Sequence, residues 1–132
     1  LPLAGLHLLL AEDNELNSEI ATALLEEQGA SITAVENGRL ALEAIQNAAP
    51  RTYDAILMDV MMPEMNGLEA TRCIRAFEGK GPGEGTPIIA MTANVFADDV
   101  KACLDAGMNS HVGKPLDMKV LIGEILKYTD AR

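Results

Sequence analysis

The feature that most constrains this chain is a fivefold alternation. An apolar stretch of strand length is followed by an amphipathic stretch of helix length, and the pair recurs from one end of the chain to the other. The predicted strands are Leu6 to Ala11, Ser31 to Val35, Ala55 to Met58, Ile88 to Met91 and Ser110 to Gly113. The helical patterns are carried by Leu16/Ile20/Ala23/Leu24, Leu40/Ala41/Ala44/Ile45, Ala70/Cys73/Ile74/Phe77, Phe96/Val100/Cys103/Leu104 and Met118/Leu121/Ile122/Ile125, each at three-and-four spacing. Asn14, Asn37 and Asp117 stand where N-caps are wanted, and Gly29 and Gly107 where helices end. Right-handed crossovers turn such repeats into a parallel sheet covered on both faces, an α/β doubly wound domain. Strands one, three and four are continuously apolar, as interior strands are, whereas the second alternates and the fifth is short and mixed. The expected order is therefore 2-1-3-4-5, with the topological switch point between strands one and three and ligands at the carboxyl ends there.

With 132 residues we expect one domain, 1–132, large enough to fold without disulfides. Twenty acidic residues against ten basic ones leave a formal charge of −10, which disfavours direct binding of nucleic acid or of anionic lipid. The longest apolar runs, such as Leu8-Leu9-Leu10-Ala11, are far too short to span a membrane. Cys73 and Cys103 fall on the apolar faces of separate helical patterns and read as small hydrophobes. The run Gly79-Lys80-Gly81-Pro82-Gly83-Glu84-Gly85 fits neither a P-loop nor a dinucleotide fingerprint, so it reads as a connector.

The chemistry lies just past the strands: Glu12-Asp13 after the first, Asp59 after the third, Thr92-Ala93 after the fourth and Lys114-Pro115 after the fifth. All four positions face the same edge of the sheet. Three carboxylates against one ammonium leave two negative charges uncompensated, a deficit that one divalent cation neutralises. Magnesium suits it, being a hard ion that takes oxygen ligands and coordinates phosphate as well. The Thr92 hydroxyl and the Lys114 ammonium suit phosphoryl oxygens. Asp59, at the end of the central strand, is the expected acceptor of a phosphoryl group, and Glu12 and Asp13 are better placed to hold metal. The methionines Met58, Met61, Met62 and Met65 are thioethers beside hard acids, so we expect packing and partner contact from them.

At these residues the chain resembles the receiver domains of two-component response regulators. The likeness spans essentially the whole chain and rests on Ala11-Glu12-Asp13-Asn14, on Leu57-Met58-Asp59-Val60-Met61-Met62-Pro63-Glu64-Met65-Asn66-Gly67, on Met91-Thr92-Ala93 and on Gly113-Lys114-Pro115. It implies a flavodoxin-like (βα)5 fold, Asp59 as phosphoacceptor, and magnesium, or manganese in its place, held by Asp13, Glu12, Asp59 and the backbone carbonyl of Met61. It further implies Lys114 on the phosphoryl oxygens, Thr92 moving toward them, His111 at the aromatic switch position, and a cis Lys114-Pro115 peptide. Two positions depart from the commoner pattern: Glu12 stands for an aspartate and His111 for a tyrosine or phenylalanine.

The expected function is a phosphorelay switch. A phosphoryl group passes from a kinase phosphohistidine to Asp59, and the face formed by the fourth helix, fifth strand and fifth helix changes. The expected partners are the dimerisation and phosphohistidine domain of a histidine kinase and a histidine phosphotransfer domain. The Glu12-Asp13-Asn14-Glu15-Leu16-Asn17 opening, the Met91-Thr92-Ala93-Asn94 stretch and the Ala106-Gly107-Met108 turn look most like receivers of hybrid sensor histidine kinases. The start at Leu1 and the absence of an effector domain after Ala131-Arg132 point the same way. The cytoplasm is the expected compartment, with a membrane tether through the parent kinase. A stand-alone single-domain regulator and a degenerate docking module are the alternatives of the same family. An aspartyl-phosphate phosphohydrolase fits less well, since Val60 and Met61 follow Asp59 where its paired aspartate would stand. A flavin- or nucleotide-binding module sits poorly with a site full of carboxylates.

Overall fold

The computed structural model describes residues 1–93 and 97–129. Its strands are β1 (His7–Ala11), β2 (Ser31–Val35), β3 (Ala55–Asp59), β4 (Ile88–Thr92) and β5 (Ser110–Gly113). They alternate with α1 (Glu15–Glu27), α2 (Gly38–Gln46), α3 (Gly67–Glu78), α4 (Ala97–Ala106) and α5 (Met118–Thr129). All pairings are parallel and the order is β2-β1-β3-β4-β5, as expected. The expected N-caps form: Asn14 Oδ1 accepts from the Asn17 amide at 2.9 Å, Asn37 Oδ1 from Leu40 at 2.8 Å, and Asp117 Oδ1 from Lys119 at 3.0 Å. Asn66, which the sequence reading passed over, caps α3 through the Glu69 amide. Phe96 and Asn94 lie outside the described residues, as do Ala131 and Arg132.

The period-two alternation of the interior strands builds two cores, one on each face of the sheet. Leu8 and Leu10 of β1, Leu57 of β3 and Met91 of β4 pack with Ala21 and Leu25 of α1 and with Leu121 and Ile125 of α5. Leu9, Ile56, Met58 and Ile88 point the other way, against Ala41 and Ile45 of α2, Ala70 and Ile74 of α3 and Cys103 of α4. Leu8, Leu9 and Leu10 are wholly buried, and each contributes about 1.5–3 kcal/mol by leaving water.

Two helix faces differ from expectation. The α1 stripe expected to be buried was Leu16/Ile20/Ala23/Leu24, yet Leu16 is 64% exposed and Ile20 50%; the core takes Ala21 and Leu25, one position further round. Likewise Phe77 of α3 projects into solvent while Ala70 and Ile74 are buried. Spacing identified the helices, but apolar residues also occur on their outward faces.

The amino ends of the strands are tied by Arg75, a buried guanidinium at the end of α3. It donates to Glu78 at 3.0 Å, to the carbonyls of Thr86 at 2.8 Å and Gly107 at 2.9 Å, and to Asn109 Oδ1 at 2.9 Å. Asn109 in turn accepts from the Ile88 amide and donates to the Pro82 carbonyl, so one network fixes the start of β4, the turn before β5 and the glycine-rich connector. The opposite, carboxyl edge is left for the site.

Candidate functional site

Each chemical residue is delivered by the end of a strand. Asp59 is the last residue of β3 and Thr92 the last of β4, and both are buried. Glu12 follows β1, where its amide continues the pairing with β2 by donating to Val35 O at 3.1 Å. Lys114 follows β5, and its amide donates to Thr92 O at 2.9 Å. These backbone bonds set the distances between side chains that are up to 102 positions apart in sequence.

Glu12 and Asp59 are each 5% exposed and share one cation. Lys114 Nζ lies 3.0 Å from Glu12 Oε1 and 3.2 Å from Asp59 Oδ2. Glu12 Oε2 accepts from the Asn14 amide at 3.2 Å, and Asp59 Oδ1 from the Met61 amide at 3.3 Å. Asp13 is exposed at the mouth, and one oxygen from each of Glu12, Asp13 and Asp59 lies within 4.8 Å of the others. Met61 sits exposed in the loop after β3, and Met58 and Met62 are buried in the core. His111 is half-buried in β5 opposite Ala90, three residues before Lys114. The Lys114-Pro115 peptide is cis.

Burial pushes the Asp59 carboxyl up to about 6, and the carboxylate of Glu12 beside it works in the same direction; Lys114 only partly offsets them. For Glu12 burial acts upward too. Hydrogen bonding with Asp59, Lys114 and the Asn14 amide outweighs it, and its pKa falls below the ordinary value. Desolvation works to lower the Lys114 pKa, yet the two carboxylates hold it above normal. Two carboxylates are thus held together largely out of water, an electrostatic state that a bound cation relieves.

The donor set fits magnesium. The ion takes hard oxygens at about 2.1 Å in octahedral geometry, so its ligands stand roughly 3–4 Å apart. Three carboxylates spread over 4.8 Å, two buried and one open to solvent, match that span with small side-chain adjustment. The backbone approaches closely here as well: the Gly67 amide donates to Val60 O at 3.0 Å, and a Cβ on Gly67 would collide with the Asp59 carbonyl oxygen. Beside the cluster runs a groove of about 510 Å³ between α1 and the residues after β5, lined by Leu10, Ile20, Leu24, Met91, Pro115 and Leu116. A cleft of about 330 Å³ at the amino edge, lined by Tyr53 and Phe77 among others, is remote from the carboxylates.

Residues 8–126 match the family model of the response regulator receiver domain. The chain belongs to that family. It is 41% identical to probable histidine kinase 1 of Oryza sativa subsp. indica, over 85% of the chain and 14% of that protein. It is 39% identical to hybrid signal transduction histidine kinase L of Dictyostelium discoideum, over 90% of the chain and 7% of that protein. The receiver domain thus spans a small part of the curated relatives it matches.

Among solved structures, the receiver domain of sensor histidine kinase PA1611 from Pseudomonas aeruginosa PAO1, with magnesium coordinated in its active-site cleft, superposes with a TM-score of 0.83. It is 38% identical over 96% of this receiver domain and 99% of that chain. The receiver domain of Ssk1, crystallised with the histidine phosphotransfer protein Ypd1 of Saccharomyces cerevisiae, gives 0.86 at 25% identity, over 97% and 91% of the two chains.

Every site residue expected from the sequence is at the carboxyl edge except His111, which is within β5. Sequence reading missed the direct pairing of Lys114 with Glu12 and the roles of Gly38 and Gly67 as points of close approach. Gly67 stood in the quoted signature; a glycine opening a helix behind a capping asparagine was the available signal.

Proposed function

We propose that this receiver domain, residues 1–132, is a phosphoacceptor switch with Asp59 as the acceptor. The supporting observation is the buried Asp59 carboxylate, with Lys114 Nζ at 3.2 Å, inside a three-carboxylate cluster whose donor chemistry suits a divalent cation. One Asp59 oxygen attacks phosphorus, the P–N bond of a phosphohistidine breaks, its electron pair stays on the imidazole nitrogen, and an acyl phosphate forms. Lys114 faces the incoming oxygens, and Thr92 supplies a hydroxyl from the end of the neighbouring strand. Glu12, Asp13, Asp59 and the Met61 carbonyl would hold magnesium, or manganese in its place. The ion would supply positive charge toward the transferring oxygens.

The donor we propose is the dimerisation and phosphohistidine domain of a histidine kinase, with a histidine phosphotransfer domain as a further partner. Leu16 and Ile20, both exposed on α1, with Ile20 lining the groove that Glu12 and Lys114 also line, give a helical partner something to rest on. Relatives that are histidine kinases many times longer support a hybrid sensor kinase as the parent. His111, half-buried in β5 opposite Ala90, is the proposed switch residue, and the face of α4, β5 and α5 is the proposed output. Two free cysteines suit the cytoplasm, and no helix among the described residues is long and apolar enough to cross a membrane. Tethering would come through the parent kinase.

Incubation with acetyl phosphate and Mg²⁺, followed by intact-mass spectrometry, tests this reading. A single phosphoryl adduct that requires Mg²⁺ and is lost in Asp59→Asn is expected. An Asp59→Asn protein that labels at the wild-type rate would refute it.

A further inference from the structure

The loop between β3 and α3, Val60 to Asn66, carries the Met61 carbonyl and lies against the amino end of α2. The Gly38 amide donates to Met65 O at 2.9 Å. A Cβ on Gly38 would collide with that same oxygen and would stand 2.9 Å from both the Asn66 carbonyl and the Ala70 Cβ. At mid-loop Glu64 holds φ 64, the left-handed region that a glutamate adopts only when other contacts enforce it. The loop closes this turn itself, the Met65 amide donating to Pro63 O at 2.7 Å, and α2 adds to it: Glu64 Oε2 accepts from Arg39 Nε at 3.1 Å and from Asn37 Nδ2 at 3.4 Å. The loop's other end is tied to the site, by the Met61 amide on Asp59 Oδ1.

We infer that the amino end of α2 is a positioning element for the metal site. Gly38, with Asn37 and Arg39, sets the path of the β3–α3 loop and through it the Met61 carbonyl. This rests on the proposed metal-binding reading. The atoms nearest a Cβ on Gly38 belong to the loop and to α3, so it would act through the loop. Its lack of a side chain lets the helix end sit against the loop's backbone. Glu64 fixes the middle of the same loop, where Met61 is three residues away.

The test is Mg²⁺ titration of the 132-residue chain by calorimetry, with melting of the metal-free protein measured alongside. Gly38→Ala should bind Mg²⁺ about tenfold more weakly, the scale on which groups behind a metal's direct ligands act. Gly123→Ala, whose added Cβ would meet nothing within 4 Å, should bind as the wild type does. A purely structural glycine would lower the metal-free melting temperature and leave the Kd unchanged, and that result overturns the inference. Should Gly38→Ala not fold, Glu64→Gly decides, because glycine accepts φ 64 while cutting the tie to α2. A Kd weakened about threefold, the scale of an exposed ion pair, upholds the inference, and a wild-type Kd overturns it. A wild-type chain that binds no Mg²⁺ overturns the metal-binding reading and this inference together, whereas a variant that binds normally overturns this inference alone.

Discussion

Asp59→Asn should make the metal-free domain more stable, although it removes the proposed acceptor. Asp59 has a folded pKa of about 6 against 3.8 for an unperturbed aspartate. At neutral pH the folded state must therefore carry a charge that the unfolded chain carries more easily, a penalty of about 3 kcal/mol by linkage. The penalty is absent below about pH 4, where both states are protonated, and complete above pH 6, where both are ionised. Asparagine has nearly the same shape and no charge. It gives up the 3.2 Å contact with Lys114 and part of the hydrogen bonding that lowers the Glu12 pKa, so the net gain is about 1–2 kcal/mol. For a chain of this size that raises Tm by about 4–8 °C. Thermal unfolding in EDTA at half-unit steps from pH 4 to 8 measures it. The gap between variant and wild type should open between about pH 4 and pH 6 and level off above that. Saturating Mg²⁺ should close it by stabilising the wild type more. A variant that melts lower than wild type at pH 7.5, or a gap independent of pH, refutes the reasoning.

Lys114→Met should leave Mg²⁺ binding at pH 8 intact or tighter, since it removes a competing cation, while labelling by acetyl phosphate slows about a hundredfold. Rates and calorimetry on one preparation separate the two effects. Glu12→Gln removes the neighbouring carboxylate that helps raise the Asp59 pKa, so the midpoint of Asp59, followed by carboxyl NMR, should fall toward the ordinary range. Arg75→Met leaves Glu78 without its cation and several carbonyls without a donor, costing about 3 kcal/mol in urea unfolding while the Mg²⁺ Kd stays unchanged.

The sheet order was readable because burial on two faces and burial on one leave different strand compositions. Leu8-Leu9-Leu10 cannot alternate, whereas Ser31 to Val35 can. The carboxyl-edge site was readable for the same reason: once the order is known, the residue after each strand is located without any side-chain detail. The α1 face was not. Leu16 and Ile20 satisfy helical spacing as well as Ala21 and Leu25 do, and hydrophobicity alone cannot separate a face packed on the core from one left outward. The Lys114–Glu12 pair joins opposite ends of the chain, so only the β1-β3-β4-β5 register brings it together. Gly38 was legible as a helix start but not as a contact, because what it touches is the path of a loop 27 residues further on.

The same burial that costs stability adjusts Asp59 for the attack on phosphorus that we propose. A carboxylate with pKa about 6 is more basic than an ordinary aspartate, and basicity raises nucleophilic strength. It remains roughly nine-tenths ionised at pH 7, so little of that gain is lost to protonation. Pushed two units further, the group would be mostly protonated and inert at neutral pH. Lys114 works against that rise. Burial and Glu12 raise the Asp59 pKa, the ammonium lowers it, and the Met61 amide bonded to Oδ1 favours the ionised form as well. Lys114 therefore has a role before any phosphoryl oxygen arrives: it keeps a buried carboxylate ionised in the metal-free domain. In Mg²⁺-free buffer the Asp59 midpoint of Lys114→Met, followed by carboxyl NMR, should accordingly lie above that of the wild type. Equal midpoints for the two proteins would confine Lys114 to contact with the phosphoryl group itself.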